Sequence, residues 1–151
     1  MTKILFVCHG NICRSPMAEF IFRDLAQKAG VSDQLEIASA ATSRDELGSP
    51  IYPPAQRQLR AHKVWFDDHR ARQLTRDDYA RFDLLVGMDA WNMANMRRIC
   101  GGDPEGKLHL LLDYTGYPRD VADPWYTDDF DTAWRDIEAG CRALLQTILA
   151  E

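Results

Sequence analysis

A short apolar run, KILFV at residues 3–7, ends at a cysteine and is followed, after a small polar loop, by Ser15 and Pro16. A continuous apolar run of this kind is typical of a strand that is buried on both faces. Serine followed by proline is a helix start, with a capping residue and then proline at the first helical position. We predict a helix from there to about Ala29, because Gly30 is a natural stop.

Three further apolar runs alternate with segments that have helical signals. The predicted strands are 34–39, 82–88 and 107–112; the predicted helices are 54–62, 74–82, 89–98 (capped by Asp89) and a last one from Asp129 or Asp131 to Leu149; the predicted loops are 42–54 and 113–129. Strands that alternate with helices form a parallel sheet with helices on both faces. We therefore expect an α/β fold in a single domain, 1–151, with a four-stranded parallel sheet.

Composition excludes several classes of function. The net charge of −5 argues against broad nucleic-acid binding, which needs a basic face. No apolar run approaches the ~20 residues of a membrane span, and the N-terminal run is too short for a signal peptide. We expect a cytoplasmic protein without nucleic-acid or membrane partners, for which secretion would need a route without a signal peptide. The cysteines form no C-x-x-C pair and no second ligand cluster, so we expect no metal, no cofactor and no disulfide scaffold.

The loop CHGNICR, residues 8–14, combines an anion site with a nucleophile. A loop that leads into a helix N-terminus can point successive N–H groups inward, where the helix dipole adds to their positive field. Gly10 lets the chain turn without a Cβ clash, and Arg14 adds a planar fork for two phosphate oxygens. The same field favours the thiolate form of Cys8, which can attack a phosphate ester and form a phosphocysteine. We predict a phosphate-binding loop between the first strand and the first helix, formed by His9, Gly10, Asn11, Ile12 and Cys13.

The stretch FVCHGNICRSPMAE resembles the active-site loop of the low-molecular-weight protein tyrosine phosphatases. Four further segments match that family in order and spacing: SAATS at 39–43, HRARQLT at 69–75, FDLLVGMD at 82–89 and DPWYTDDF at 123–130. The resemblance covers essentially the whole chain. It implies hydrolysis of phosphotyrosine esters in proteins, with Cys8 as nucleophile, Arg14 as phosphate clamp, and inorganic phosphate or other oxyanions as inhibitors.

The reaction also needs an acid, because neither a thiolate nor a guanidinium can protonate the leaving oxygen. The loop 113–129 contains Asp123, Asp128 and Asp129, and the residues alone do not choose among them. The resemblance implies Asp123, the aspartate of the Asp-Pro-aromatic-aromatic motif. That residue would first act as general acid and then as the base that activates water.

Five residues are expected to support the nucleophile. Ser15 is adjacent to the loop and can donate a hydrogen bond to the thiolate. Asn11 can lock the loop, because asparagine tolerates the left-handed region, and Ser39, at the end of a neighbouring strand, can brace Asn11. The resemblance implies that His69 reaches this network, with Glu19, one turn into the first helix, as its partner.

Three positions depart from the residues common in the family. His9 stands where relatives are usually apolar or small, and we expect its side chain at the rim of the site. Asp45 stands where relatives often carry an aromatic residue that lines the substrate groove, and Trp125 replaces the commoner tyrosine. We expect an aryl phosphate to stack on Trp125 and Tyr126, while Asp45 disfavours acidic peptides.

Cys13 is a second thiol in the same curled loop as Cys8. Two interpretations of it stand equally on the sequence. In one, Cys13 packs under the loop; in the other, which the resemblance implies, it closes a reversible disulfide with Cys8 and protects the nucleophile from further oxidation.

Other functions compete with phosphotyrosine hydrolysis on the same fold. They are thiol-dependent arsenate reduction, phosphoarginine hydrolysis and non-catalytic phosphate binding. Arsenate reduction needs further cysteines that relay a disulfide outward, and neither Cys100 nor Cys141 has a close cysteine partner in the sequence. A phosphate carrier needs neither Asp123 nor Arg14. We therefore favour the phosphatase, as a monomer or weak dimer.

Overall fold

The centre of the structure, a computed structural model that describes residues 1–151, is a four-stranded parallel sheet in the order β2-β1-β3-β4. The strands are β1, Thr2–Cys8; β2, Leu35–Ala41; β3, Leu84–Gly87; and β4, Leu108–Leu110. The predicted number of strands and their parallel direction are confirmed.

Helices cover both faces of this sheet, as predicted. They are α1, Arg14–Lys28; α2, Pro53–Ala61; α3, Arg76–Arg81; α4, Ala90–Cys100; α5, Pro124–Thr127; and α6, Phe130–Leu149. Helices α1 and α6 contribute to the larger core on one face, and α3 and α4 to the smaller core on the other. None of the helices combines the length and the apolar character that a membrane span requires.

Strand β1 contributes alternate side chains to these two cores. Ile4 and Phe6 belong to the larger core, and Leu5 and Val7 to the smaller one. All four side chains are fully buried. Because both faces of β1 are covered, its sequence is an unbroken apolar run rather than an alternation of apolar and polar residues.

The start of α1 differs from the prediction. The helix begins at Arg14, one residue before the serine that the sequence predicts as its cap, and no side chain caps it. Ser15 lies inside the first turn, where its hydroxyl oxygen is 3.0 Å from the sulfur of Cys8. The helix-start signal is thus correct in position, but the serine serves the loop rather than the helix end.

Three segments differ from their predicted structure. The predicted strand 107–112 ends at Leu110, because the chain enters a 3-10 turn at Leu111–Thr115. The predicted loop 113–129 contains this turn and α5 as well. Strand β2 continues past the predicted 34–39, so Ser39 lies within the strand, paired with Phe6, rather than at its end.

The strand order places the 8–14 loop where ligands bind in open α/β sheets. The chain leaves β1 for β2 on one side and later returns to β3 on the other, so the order reverses between β1 and β3. Ligands of such sheets bind at the carboxyl ends of the strands beside this reversal. Cys8 is the last residue of β1, and Asp89 comes shortly after Gly87, the last residue of β3.

Candidate active site

The 8–14 loop joins the end of β1 to the start of α1 through a left-handed residue. Asn11 has a φ of 58°, a conformation that asparagine adopts more readily than most residues. Several backbone N–H groups of the turn have no acceptor in the protein, those of Gly10, Ile12, Cys13 and Arg14. Free N–H groups at a helix N-terminus form a site for an anion, to which the helix dipole contributes.

The sulfur of Cys8 accepts from several donors of the same loop. The backbone nitrogens of Asn11 and Ser15 lie 3.3 Å and 3.4 Å from it, and the Ser15 hydroxyl lies 3.0 Å away. The residue is 3% exposed but lines the cavity that opens above the loop. Converging donors stabilise a thiolate, the form in which cysteine is a nucleophile.

Arg14 is buried with its guanidinium between two carboxylates. Its Nη1 donates to Asp89 Oδ2 at 2.7 Å and to the Val121 carbonyl at 2.8 Å, and its Nη2 lies 3.3 Å from Asp123 Oδ2. Burial alone would lower the pKa of Arg14, but Cys8, Asp123 and Asp89 outweigh it and raise that pKa. The guanidinium therefore stays charged and is fixed in orientation before a ligand arrives.

The side chain of Asn11 connects the loop to three other segments. Its Nδ2 donates to Ser15 Oγ at 2.7 Å and to Ser39 Oγ at 3.0 Å. Its Oδ1 accepts from the backbone N–H of Arg72 at 3.2 Å and lies 3.0 Å from His69 Nε2. The structure thus brings these predicted supporting residues together around one completely buried amide.

Glu19 joins this network mainly through Ser39. The Ser39 hydroxyl donates to Glu19 Oε1 at 2.6 Å. His69 Nδ1 is 3.8 Å from the same oxygen, too far for a hydrogen bond. His69 and Glu19 are therefore close, as predicted, but they are not hydrogen-bonded. The direct hydrogen bond to the carboxylate comes from Ser39.

Asp123 faces the loop from the N-terminus of α5. Its Oδ1 accepts from the Trp125 backbone N–H at 3.1 Å, and its Oδ2 is the oxygen near Arg14. The next residue, Pro124, is buried and begins the helix. Helix cap, proline and arginine together hold this carboxylate over the cavity.

The two other aspartates that the sequence left open lie outside the cavity. Asp128 has a left-handed backbone conformation at the end of α5, and it is exposed. Asp129 caps α6, and its hydrogen bonds with Thr132 lower its pKa. Of the three, Asp123 alone lines the space above Cys8.

The cavity above Cys8 has a volume of about 130 Å³ and walls of two kinds. Trp125 and Tyr126 form an aromatic wall; they are 51% and 81% exposed. Trp125 is supported by Tyr52, whose ring centroid lies 4.9 Å away. Asp45 and Glu46 line the cavity from the loop after β2. The sequence did not single out Glu46, which adds a second carboxylate to that wall.

His9 lies at the rim, as expected, and contacts the acidic wall. Its Nε2 is 2.8 Å from Asp45 Oδ2, with both side chains partly or largely exposed. The His9 carbonyl also accepts from the Ser43 N–H at 3.1 Å and from its hydroxyl at 2.9 Å. The imidazole therefore covers part of the charge that Asp45 would otherwise present to a substrate.

Cys13 is buried and lines the same cavity as Cys8. Burial, with a smaller contribution from Cys8 and Asp123, raises the pKa of Cys13. All the cysteines of the chain are unpaired. Cys13 is thus a neutral thiol, within the same pocket as the sulfur that the loop stabilises.

The sequence predicted only part of the role of Asp89. Its Oδ1 accepts from the Asn92 N–H at 2.7 Å, which is the predicted helix cap, but its Oδ2 is the oxygen that holds Arg14. The available signal was its position just after a buried strand, at the same sheet edge as Cys8. Nothing in the sequence indicated the hydrogen bond from the Arg72 backbone N–H to Asn11, because any residue other than proline can supply such a donor.

A family model for the low molecular weight phosphotyrosine protein phosphatase matches residues 3–151. The chain belongs to this family. The protein-tyrosine-phosphatase YfkJ of Bacillus subtilis is 40% identical over 153 residues, covering 100% of this chain and 98% of YfkJ. The low molecular weight phosphotyrosine protein phosphatase of Rattus norvegicus is 38% identical, over 95% of this chain and 94% of the rat protein.

Solved structures of the family have the same fold. The crystal structure of YfkJ superposes with a TM-score of 0.96 at 40% identity, over 99% of this chain and 96% of that one. A Drosophila arginine phosphatase superposes with a TM-score of 0.89 at 28% identity, over 97% and 98%. The fold predicted from the sequence, with its loop between β1 and α1, is therefore confirmed.

We expect Asp89→Asn to reduce kcat/KM for p-nitrophenyl phosphate about tenfold, because it removes the charge that holds Arg14 while leaving an acceptor for the helix cap. Asp89→Ala should also lose about 1 kcal/mol of unfolding free energy with the cap. Steady-state hydrolysis and urea unfolding measure the two effects. The control is Asp129→Asn, a helix-cap aspartate that does not contact Arg14, which should keep its activity. An equal loss in both asparagine variants would contradict the role of Asp89.

Proposed function

We propose that the protein hydrolyses phosphotyrosine esters, with Cys8 as the nucleophile, Arg14 as the phosphate clamp and Asp123 as the general acid and base. The observation that carries this proposal is a sulfur surrounded by donors below unpaired N–H groups, with a buried arginine and one carboxylate facing it. An anion cradle and a cation serve binding, a thiolate serves nucleophilic attack, and the carboxylate serves proton transfer. Membership of the phosphatase family supports the same assignment.

The first step transfers the phosphoryl group to the protein. The phosphate oxygens accept hydrogen bonds from the free N–H groups of the 8–14 loop and from Arg14. The Cys8 sulfur attacks phosphorus, the bond from phosphorus to the tyrosine oxygen breaks, and Asp123 gives its proton to that oxygen. The N–H groups and the guanidinium stabilise the charge on the equatorial oxygens of the transition state.

The second step regenerates the free enzyme. Asp123, now a carboxylate, takes a proton from a water molecule whose oxygen attacks the phosphocysteine. The sulfur–phosphorus bond breaks, inorganic phosphate leaves, and the Cys8 thiolate is restored. Ser15 favours this step, because its hydroxyl donates to the sulfur as negative charge returns to it.

The walls of the cavity support an aryl phosphate in a protein substrate. Trp125 and Tyr126 offer flat apolar surface beside the position of the phosphorus, on which a phenyl ring can stack. Phosphoarginine is the second candidate, because Asp45 and Glu46 offer carboxylates to a guanidinium and an arginine phosphatase shares the fold. Arsenate reduction has less support, because Cys100 lies in the smaller core and Cys141 in the larger, both buried.

We also propose that Cys8 is reversibly oxidised and that the protein acts in a reducing compartment. Peroxide converts a thiolate to a sulfenic acid, and a neighbouring thiol can then displace water and form a disulfide that a reductant opens. Cys13 supports this part of the proposal, because it lines the same cavity as Cys8. A catalytic thiol must be kept reduced, which supports the cytoplasm as the place of action for this 1–151 phosphatase domain.

Cys8→Ser should abolish hydrolysis of aryl phosphates, because an alcohol in the same place is a far weaker nucleophile than a thiolate. Asp123→Asn should keep the nucleophile but lose the proton donor, with a loss of about 10²–10⁴-fold in turnover. The loss in kcat/KM, which reports the steps up to phosphoryl transfer, should be greater for phenyl phosphate than for p-nitrophenyl phosphate, whose leaving oxygen is far less basic. Steady-state assays of both esters in the presence of EDTA provide the measurement. An Asp123→Asn loss of kcat/KM that is the same for both esters would contradict general-acid catalysis.

Asp45→Asn should change which phosphopeptides are hydrolysed, because the carboxylate at the rim repels acidic flanking residues. We expect the ratio of kcat/KM for a basic over an acidic phosphotyrosine peptide to fall about threefold, and the effect to shrink at high salt. His9→Gln should change the ratio in the opposite direction, since it uncovers Asp45. A ratio that stays the same in both variants would remove Asp45 as a specificity residue.

Cys13→Ser should lose the recovery of activity after mild peroxide. The wild-type protein should regain most of its untreated activity when a dithiol is added, because a disulfide stops Cys8 from reaching the sulfinic acid. Each protein is compared with its own untreated sample, and the mass of the Cys8 peptide is measured. Full recovery of Cys13→Ser, with no sulfinic acid on Cys8, would show that the nucleophile is protected in another way.

A further inference from the structure

One face of α1 connects the 8–14 loop with the protein surface. Ser15, Glu19 and Arg23 are four residues apart and therefore lie above one another along the helix. Ser15 contacts the Cys8 sulfur, whereas the side chain of Arg23 is 42% exposed at the far end. Glu19 lies between them and is buried.

Arg23 holds Glu19 through a charge-assisted hydrogen bond. Its Nε donates to Glu19 Oε2 at 3.1 Å. Its Nη2 donates to the Ile37 carbonyl in β2, and its guanidinium lies 5.9 Å from the Phe20 ring centroid. The only other basic side chain within 4 Å of Glu19 is His69, at 3.8 Å. A buried carboxylate is costly without a partner, so Arg23 is the main group that stabilises this charge.

The direction of each bond inward from Glu19 follows from one backbone contact. The Arg72 N–H can only donate, so the Asn11 atom that it contacts is the amide oxygen and the other is the NH₂ group. This NH₂ group donates to both serine hydroxyls, which leaves each hydroxyl its own proton to donate. These side chains form what we call the relay, in the order Glu19, Ser39, Asn11 and Ser15.

The two ends of the relay reach a carboxylate and a sulfur. The Ser39 hydroxyl donates to the carboxylate of Glu19, and the Ser15 hydroxyl, whose oxygen accepts from Asn11, lies 3.0 Å from the sulfur of Cys8. A carboxylate at the Glu19 end takes the Ser39 proton and leaves the Ser39 oxygen to accept from the Asn11 NH₂ group, which also donates to Ser15.

We propose that Arg23 is a positioning residue of the phosphatase reaction. By holding the Glu19 carboxylate as the acceptor of the Ser39 proton, it keeps the Ser39 oxygen available to the Asn11 amide, which leaves Ser15 its proton to donate to the Cys8 thiolate. The inference rests on the proposed function of Cys8 and extends the site to an exposed arginine that does not line the cavity. Arg23 acts at a distance, through the hydrogen bonds of the relay.

The first test is Arg23→Met, which keeps much of the apolar stem and removes the charge that lies over the Phe20 ring. We expect about a tenfold loss of kcat/KM for p-nitrophenyl phosphate. Alkylation by iodoacetamide at mildly acidic pH should also slow, because it reports the thiolate of Cys8, and burial raises the pKa of Cys13, Cys100 and Cys141. Arg23→Lys should restore part of both losses, since an ammonium can still neutralise Glu19.

The matched control is Arg142→Met. Arg142 also pairs with a glutamate one turn earlier on its helix, Glu138, at 3.7 Å, and it is exposed. Its loss should leave both rates unchanged. An equal loss of activity in Arg23→Met and Arg142→Met, or an Arg23→Met protein with wild-type activity and alkylation, would overturn the proposal.

A double-mutant cycle with Glu19→Gln separates positioning from packing. Glutamine keeps an oxygen for the Ser39 hydroxyl but carries no charge for Arg23 to hold. In that background, Arg23→Met should cost less than about twofold in kcat/KM, because the two changes interrupt the same relay. If Arg23→Met costs the same in both backgrounds, Arg23 acts by packing and the proposal fails.

Cys8→Ser distinguishes this failure from failure of the proposed function. Hydrolysis that persists in Cys8→Ser would contradict the nucleophile itself, and the relay would then have no reaction to serve. Loss of hydrolysis in Cys8→Ser together with an additive cycle would contradict Arg23 alone. Loss of hydrolysis together with a non-additive cycle is the result that the proposal predicts.

Discussion

The active-site loop depends on one buried amide, the side chain of Asn11. This residue stands at the left-handed turn of the 8–14 loop, and its amide makes hydrogen bonds to the first helix, to β2 and to the segment around Arg72. A left-handed residue is unfavourable unless its surroundings fix it, and a fully paired buried amide does so. The same turn frees the N–H groups of the loop and brings donors to the Cys8 sulfur, so binding and nucleophile activation share one support.

A second constraint joins the two halves of the proposed chemistry. Arg14 is buried and charged, and its guanidinium must be paired wherever it lies. Its partners come from two distant parts of the chain, Asp89 after β3 and Asp123 at the start of α5. The arginine therefore orients itself for phosphate and, through the same contacts, holds the carboxylate that faces the leaving group. The clamp and the acid therefore support each other's position, beside the contacts that each makes separately.

The sequence predicted the elements that follow from local patterns. The buried strand β1, the helix after it and the helix cap at Asp89 all have local signals, and the structure confirms them. Of the contacts between distant segments, the sequence predicted some, such as that of Ser39 with Asn11, but not that of Asp89 with Arg14. Such contacts depend on the order of the strands, because carboxyl ends that meet at one sheet edge can be far apart in the chain. Ser15 shows the limit of local signals. A serine before a proline can cap a helix, but its hydroxyl can equally contact a neighbouring sulfur, as it does here with Cys8.

The account stands on Cys8 as the atom that receives the phosphoryl group. The most direct test is to quench the Asp123→Asn protein with acid during turnover of an aryl phosphate and to analyse its peptides by mass. That variant lacks the base that would hydrolyse the intermediate, so the intermediate should accumulate. We predict a phosphoryl group on the peptide that contains Cys8, and none when the substrate is omitted. Turnover with the phosphoryl group on another residue, or on no residue at all, would contradict the account.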